Sequence, residues 1–249
     1  MRADAAVREL VGELDAFSSP DRAASERAYL KSSYEHLGCS VPAVRSVAKR
    51  FLNAHAPDHD HLVMLIGQLW DSNTYERRML CVELLLASPQ LLGRRDLDLV
   101  EALIRDSRTW ALVDSLAGTV TARIVSADPA ALEVLDAWVT DDDFWVRRSA
   151  VLGLRGLLRD GHEFDRFERY ADTLLTEREF FIRKVLGWVA RDTGRHHPAT
   201  VSAWVRANLA QMSGVTIREA VKYLPDGEEL LTRWKADQSA AMARRKRVG

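Results

Sequence analysis

The sequence predicts an all-α protein, specifically an α-solenoid of HEAT-like helical repeats, and three observations carry that expectation. Tyr75, Trp110, Trp145, Phe181 and Thr216 stand 35, 35, 36 and 35 residues apart, and a fixed period in this range marks stacked units that cannot bury an apolar face alone. Apolar residues recur with helical spacing almost throughout, and no stretch alternates convincingly with period two, so no sheet is expected. Seven prolines and thirteen glycines are scattered as punctuation rather than gathered into a linker. Residues 1–249 are therefore expected to form a single repeat domain whose concave surface is lined by one helix of each pair.

The candidate helices cover roughly 4–17, 21–35, 42–55, 58–70, 73–88, 95–105, 109–126, 129–140, 143–159, 163–176, 178–194, 198–211, 214–224 and 227–245. Short connectors separate them and carry breaking or starting residues: Gly38 and Pro42, Pro57, Asp128-Pro129, Gly161, His197-Pro198, Gly214, and Pro225-Asp226-Gly227. Four copies of the repeat read as a large residue, a spacer, an arginine and a polar partner. These are Tyr75-Glu76-Arg77-Arg78, Trp145-Val146-Arg147-Arg148, Phe181-Ile182-Arg183-Lys184 and Thr216-Ile217-Arg218-Glu219. The copy at Trp110 instead runs Trp110-Ala111-Leu112-Val113-Asp114, with a carboxylate one helical turn on and no arginine.

A hydrophobic content of 47% and a charged content of 29% fit a globular protein with a sizeable core. The opening residues lead into an amphipathic run with Glu9, Glu13 and Asp15, unlike a signal peptide, and no apolar run approaches the ~18 residues a membrane span needs. Cys39 and Cys81 lack metal-ligand spacing and suggest a reducing compartment, so a cytoplasmic protein with no membrane partner is expected. His55, His59 and His61 match no tetrahedral motif either, and neither a metal nor another cofactor is expected. A net charge of −1 argues mildly against a constitutive nucleic-acid binder, although the distribution of charge matters more than its sum.

Helical projection separates packing stripes from faces that could carry chemistry. In the helix at 109–126, Leu112, Val113, Leu116, Val120 and Ile124 form the buried stripe, while Trp110, Asp114 and Thr121 share another side with Gly118 beside them. An indole and a carboxylate next to small residues would make a recess; the structural reading is a core-covering tryptophan and a solvated aspartate. In the helix at 178–194, Ile182, Val185, Leu186 and Val189 pack, and Lys184, Trp188, Arg191 and Arg195 lie together elsewhere. Trp188 reads either as an edge-of-core residue or as an aromatic face flanked by phosphate-binding cations. Arg148 projects with Arg155 and Arg159 as a basic ridge, and with Lys184, Arg191 and Arg218 as a track along consecutive repeats, although each arginine alone is most often a solvated helix residue.

Several segments together resemble the AlkD-like HEAT-repeat DNA alkylation repair glycosylase family. They are Arg27-Ala28-Tyr29-Leu30-Lys31, Leu69-Trp70-Asp71, Thr109-Trp110-Ala111-Leu112-Val113-Asp114-Ser115, Trp145-Val146-Arg147-Arg148-Ser149-Ala150, Glu179-Phe180-Phe181-Ile182-Arg183-Lys184 with Gly187-Trp188-Val189, and Arg218-Glu219-Ala220. The resemblance implies excision of N3- and N7-alkylated purines from double-stranded DNA by a monofunctional enzyme acting as a monomer. It implies that Asp114 is the catalytic carboxylate, that Trp110 and Trp188 face the lesion's sugar, that Tyr29 is a further aromatic, and that Arg148 and Arg191 contact the DNA backbone. Thr109 departs from the second aromatic often found at that position, which bears on lesion range more than on chemistry. The alternatives are a non-catalytic HEAT-repeat scaffold that binds DNA structure and one that binds protein.

Overall fold

The computed structural model describes residues 3–248, and all but a few connecting segments of them are helical. Among the described residues there is no strand, only an isolated parallel bridge between Glu35 and Thr74. Contacts group the chain into two compact units, Met1–Ala130 and Ala131–Gly249.

The first unit contains α1 (Ala3–Asp15), α2 (Pro20–Leu30), α3 (Val41–His55), α4 (His59–Trp70), α5 (Tyr75–Ala87), α6 (Leu97–Arg105), α7 (Trp110–Ser115) and α8 (Ala122–Ala127). The second contains α9 (Leu132–Trp138), α10 (Phe144–Gly153), α11 (Arg155–Arg159), α12 (Phe164–Leu174), α13 (Phe180–Gly194), α14 (Pro198–Asn208), α15 (Gly214–Ala220) and α16 (Gly227–Val248). In the first unit α3 packs on α5 and α5 on α7; in the second α10 packs on α13 and α13 on α15. Each of the five periodic residues lies in the first turn of its helix: Tyr75 and Trp110 open α5 and α7, and Trp145, Phe181 and Thr216 follow in α10, α13 and α15. The 35-residue period thus marks where a helix starts.

Local chemistry sets most boundaries. Ser40, Asp58, Asp143, Glu179 and Ser213 each accept a hydrogen bond from a backbone N–H of the turn they cap, the arrangement that satisfies otherwise orphaned donors. The helix expected to run to residue 35 ends at Leu30, because Lys31 turns left-handed at φ 49° and its N–H bonds back to Ala28 O. The helix expected over 143–159 breaks at Leu154, between α10 and α11.

Arginines early in three of the repeat helices share a structural use. Arg78 Nε donates to Ser72 O at 2.8 Å, Arg147 Nη1 to Asp141 O at 2.6 Å, and Arg183 Nε to Glu177 O at 2.7 Å. In each case a side chain from the first turns of a helix bonds the carbonyl six residues back, closing the loop that enters that helix. Arg147 adds a paired contact to Glu177 at 2.8 and 2.9 Å. These are satisfied, geometrically fixed guanidinium donors.

Candidate functional site

In the first unit, the chain is helical without interruption from Trp110 to Ala127, but Leu116–Thr121 is wound as a π-helix between α7 and α8. The wider π turn follows Asp114 by one residue and shifts every later side chain relative to a regular helix. Such turns are rare and concentrate at functional sites. This corrects the projected face: Thr121, expected beside Trp110 and Asp114, is fully buried, whereas Gly118 is half-buried like Asp114. The packing stripe is otherwise as expected, with Leu112, Val113, Leu116, Val120 and Ile124 all buried.

Trp110 is half-buried, and the exposed ring of Tyr29 meets it edge-on, with centroids 6.0 Å apart and planes at 83°, a favoured aromatic geometry. Tyr29, Trp110 and Asp114 therefore share one region of the first unit, Asp114 lying one turn beyond Trp110 on the same helix.

The loop that delivers Trp110 has no arginine clasp of its own, and the structure supplies one from the preceding repeat. Arg78 is 6% exposed. Besides closing its own loop, Arg78 Nη1 reaches forward to Asp106 O at 2.9 Å, Asp106 Oδ2 at 2.6 Å and Tyr34 Oη at 3.0 Å. Tyr34 Oη donates to Asp106 O and Ser107 O, and Trp70 Nε1 donates to Asp106 Oδ2 at 3.2 Å. The Arg78 guanidinium lies 4.7 Å from the Tyr34 ring centroid and 4.9 Å from that of Trp70. Burial works to raise the Asp106 pKa, but Arg78 and Trp70 outweigh it and hold the carboxyl below its ordinary range. Sequence reading placed Arg78 in a basic pair and missed this role; the Trp110 copy, which has no arginine of its own, was the available signal.

In the second unit, Trp188 is half-buried on α13, with the Arg155 guanidinium 4.8 Å and the Arg148 guanidinium 5.8 Å from its ring centroid. Arg155 is also paired with Asp192 at 2.8 Å. Arg148 is only 3% exposed and donates to Phe181 O at 2.6 Å. The expected solvent-facing ridge of Arg148, Arg155 and Arg159 therefore does not form, because Arg148 is drawn inside to bond the first turn of α13. Gly187 lets α15 approach α13 closely: a Cβ there would sit 2.6 Å from Thr216 O.

Lys184 and Arg191 both pair with Glu219, each at 2.5 Å. They form a charge network rather than two solvated cations, whereas Arg218 on the same α15 is exposed. Burial would raise the Glu219 pKa, but Lys184 and Arg191 outweigh it and hold the carboxyl below its ordinary value of 4.5. A depressed carboxyl pKa contributes stability above the unfolded-state value and loses it as pH falls through the folded-state value. Glu219→Gln is therefore expected to destabilise the protein at pH 7, with the difference from wild type shrinking below about pH 4.5; urea melts of both proteins at pH 7 and pH 3.5 measure it.

Paired helices at a 35-residue period, with an indole and a carboxylate ahead of a π-helical turn and a second indole beside two arginines, define an α-helical repeat protein. Residues 10–224 match the family described as DNA alkylation repair enzyme, and the chain belongs to that family. A structure described as a predicted DNA alkylation repair enzyme from Enterococcus faecalis is similar at a TM-score of 0.77 and 22% identity, covering 84% of this chain and 97% of its own. AlkD2 from Streptococcus mutans is similar at a TM-score of 0.59 and 18% identity, covering 82% and 99%. Among curated proteins, none matches. Among the described residues, no helix is long and apolar enough to cross a membrane.

Proposed function

We infer that the protein is a monofunctional DNA glycosylase that hydrolyses the N-glycosidic bond of cationic N3- or N7-alkylated purines in double-stranded DNA, the first step of base excision repair. The observation that carries the reading is the placement of Trp110 and Asp114 one turn apart, directly before the π-helical segment, with Tyr29 against the indole. Breaking the bond develops positive charge on the deoxyribose, as in other oxocarbenium-like hydrolyses. A fixed carboxylate and π faces oppose that charge: each cation–π contact is worth ~0.5 to 2 kcal/mol, and a preorganised charge several more. The alkylated purine is already cationic, so it departs without a proton donor.

In this reading Asp114 stabilises the sugar cation and positions water, Trp110 packs on the lesion sugar, Tyr29 extends the aromatic surface, and Trp188 of the second unit offers its own indole to the DNA. Arg148 acts by holding Trp188 rather than by meeting phosphate itself. Lys184, Arg191 and Arg218 meet the backbone, the first two exchanging Glu219 for phosphate as DNA arrives. The single repeat domain, the monomeric state and a cytoplasmic location belong to the same proposal. Release of 7-methylguanine and 3-methyladenine from a methylated duplex, compared with an unmethylated one, tests it. Duplex binding without base release would favour a non-catalytic DNA-structure binder instead, and no DNA binding would favour a protein-binding scaffold.

The overall charge conceals a basic segment beyond the matched region. Residues 233–249 hold six cations (Arg233, Lys235, Arg244, Arg245, Lys246 and Arg247) and one acid, Asp237, leaving a net −6 on residues 1–232 against −1 for the whole chain. Each phosphate contact contributes about 0.9 to the slope of log K against log salt. Replacing Arg244, Arg245, Lys246 and Arg247 by glutamine is expected to flatten that slope by up to about 3.6 units while leaving base release at saturating protein unchanged. Fluorescence anisotropy across a salt series measures the slope.

A further inference from the structure

α2 carries Tyr29, yet it buries no residue. An amphipathic helix normally holds its place through a buried stripe, so α2 is held by other means. Polar ties run along the segment that follows it. Ser19 N–H donates to Leu37 O at 2.8 Å, Arg22 Nε donates to Gly38 O at 3.1 Å, and Gly38 adopts φ +80° so close to Ser19 O that a Cβ would lie 2.1 Å away. At the centre of these ties lie Glu26 from α2, His36 from the connector and Glu76 from the first turn of α5. One ligand-capable atom from each of the three falls within 4.8 Å of the others.

Three features of this cluster are unusual for a purely structural contact. Both imidazole nitrogens of His36 are enclosed and have no hydrogen-bond partner, and Glu26 Oε2 is enclosed and unpartnered as well. A neutral imidazole always carries one N–H donor, and leaving such a group buried and unmet is unfavourable. Glu76 is wholly buried, and its carboxylate accepts N–H from Leu37 at 2.9 Å and Gly38 at 2.6 Å but has no ion pair among the described residues. Buried charges are paired or ligate metals. The other oxygen of Glu26 is taken by Arg22, so the cluster holds two carboxylates against one guanidinium.

We propose that Glu26, His36 and Glu76 form a divalent transition-metal site, of the nitrogen-and-carboxylate type that zinc occupies, which ties α2 to α5. Zinc–ligand bonds of about 2.0–2.2 Å place tetrahedral donors about 3.4 Å apart, so the three donor atoms, which lie within 4.8 Å of one another, would draw together on binding. The two backbone N–H groups on Glu76 act as the outer contacts that orient a ligating carboxylate. The stacking of His36 on Tyr75, with centroids 4.7 Å apart and planes at 18°, fixes the ring plane. Glu26 lies one turn before Tyr29 on α2, so the ion would set the position of the helix that presents Tyr29 to Trp110. The spacing Glu26…His36…Glu76 resembles no sequence motif, because the ligands come from three separate elements.

The test uses the full chain, stripped with EDTA and dialysed, then titrated with zinc in a calorimeter and with cobalt followed by visible absorption. One equivalent of zinc is expected, with a four-coordinate cobalt spectrum and a rise of several degrees in Tm. Affinity should fall at least about 10-fold in both His36→Gln and Glu26→Gln, and remain in a control with His55, His59 and His61 replaced by glutamine. An absence of zinc binding and of the cobalt spectrum in wild type overturns the site whatever the variants do. So does an equivalent of zinc that survives in His36→Gln and Glu26→Gln or vanishes in the control. None of these readouts depends on base release, so the site and the glycosylase reading stand or fall separately.

Discussion

Arg78→Ala is expected to lower the unfolding free energy by about 3 kcal/mol, because deleting this buried donor leaves several acceptors unmet at about 1–3 kcal/mol each. The basis is what remains behind. Ser72 O and Asp106 O lose a donor, the Asp106 carboxylate keeps only Trp70 and Arg108 beside it, and Tyr34 Oη loses its charged neighbour. The Tyr34 and Trp70 rings also lose a guanidinium within 5 Å of their centroids. Arg78→Lys should recover little, because one ammonium cannot reproduce donors aimed both backward at Ser72 and forward at Asp106. Asp106→Ala should cost less, since its side chain is 41% exposed and the backbone carbonyl that Arg78 and Tyr34 bond survives the substitution. Thermal melts of the three variants order these effects. In a chain this long, about 2–4 °C is lost per kcal/mol, so Arg78→Ala should melt about 10 °C below wild type. Proteolysis near residues 106–109 should quicken, because that loop is clamped by the lost contacts.

The same arginine shows how far sequence reading reaches. The period, the helix starts at Tyr75, Trp110, Trp145, Phe181 and Thr216, and the buried stripes of α7, α8 and α13 follow from spacing alone, because burial periodicity is a local property of a helix. The meaning of the repeated arginines does not follow from spacing. A cation on a helix reads as solvated until the loop six residues back is seen to turn its carbonyl toward it, as it does for Arg78, Arg147 and Arg183. Arg148 projects as part of a basic ridge and is buried against Phe181 O; Lys184 and Arg191 project together as phosphate-binding cations and are paired to Glu219. Those outcomes depend on partners 28 to 35 residues away, which no helical wheel contains. The π-helical segment was equally hidden: nothing in Leu116-Ala117-Gly118-Thr119-Val120-Thr121 forbids a regular helix, so Thr121 was projected to the wrong side.

Asp114→Asn is expected to slow release of 7-methylguanine by about 10²–10³-fold, the cost typical of removing one preorganised group that meets developing charge. The substitution keeps the shape of the side chain and removes its charge, so Trp110, Tyr29 and the π-helical turn should remain in place and the melting curve should barely move. Affinity for an unmodified duplex should hold or rise slightly, since a negative charge is deleted near a polyanion. This combination separates the readings: an electrostatic and water-positioning role predicts lost turnover with binding retained, whereas a purely structural Asp114 predicts a lower Tm with any loss of turnover tracking it. Single-turnover release measured at saturating protein removes binding from the comparison. Equal release by wild type and variant would transfer the chemistry away from Asp114. A variant defective toward both 7-methylguanine and 3-methyladenine by a similar factor would place the effect on the shared sugar cation, because the two leaving groups differ in the base and not in the deoxyribose.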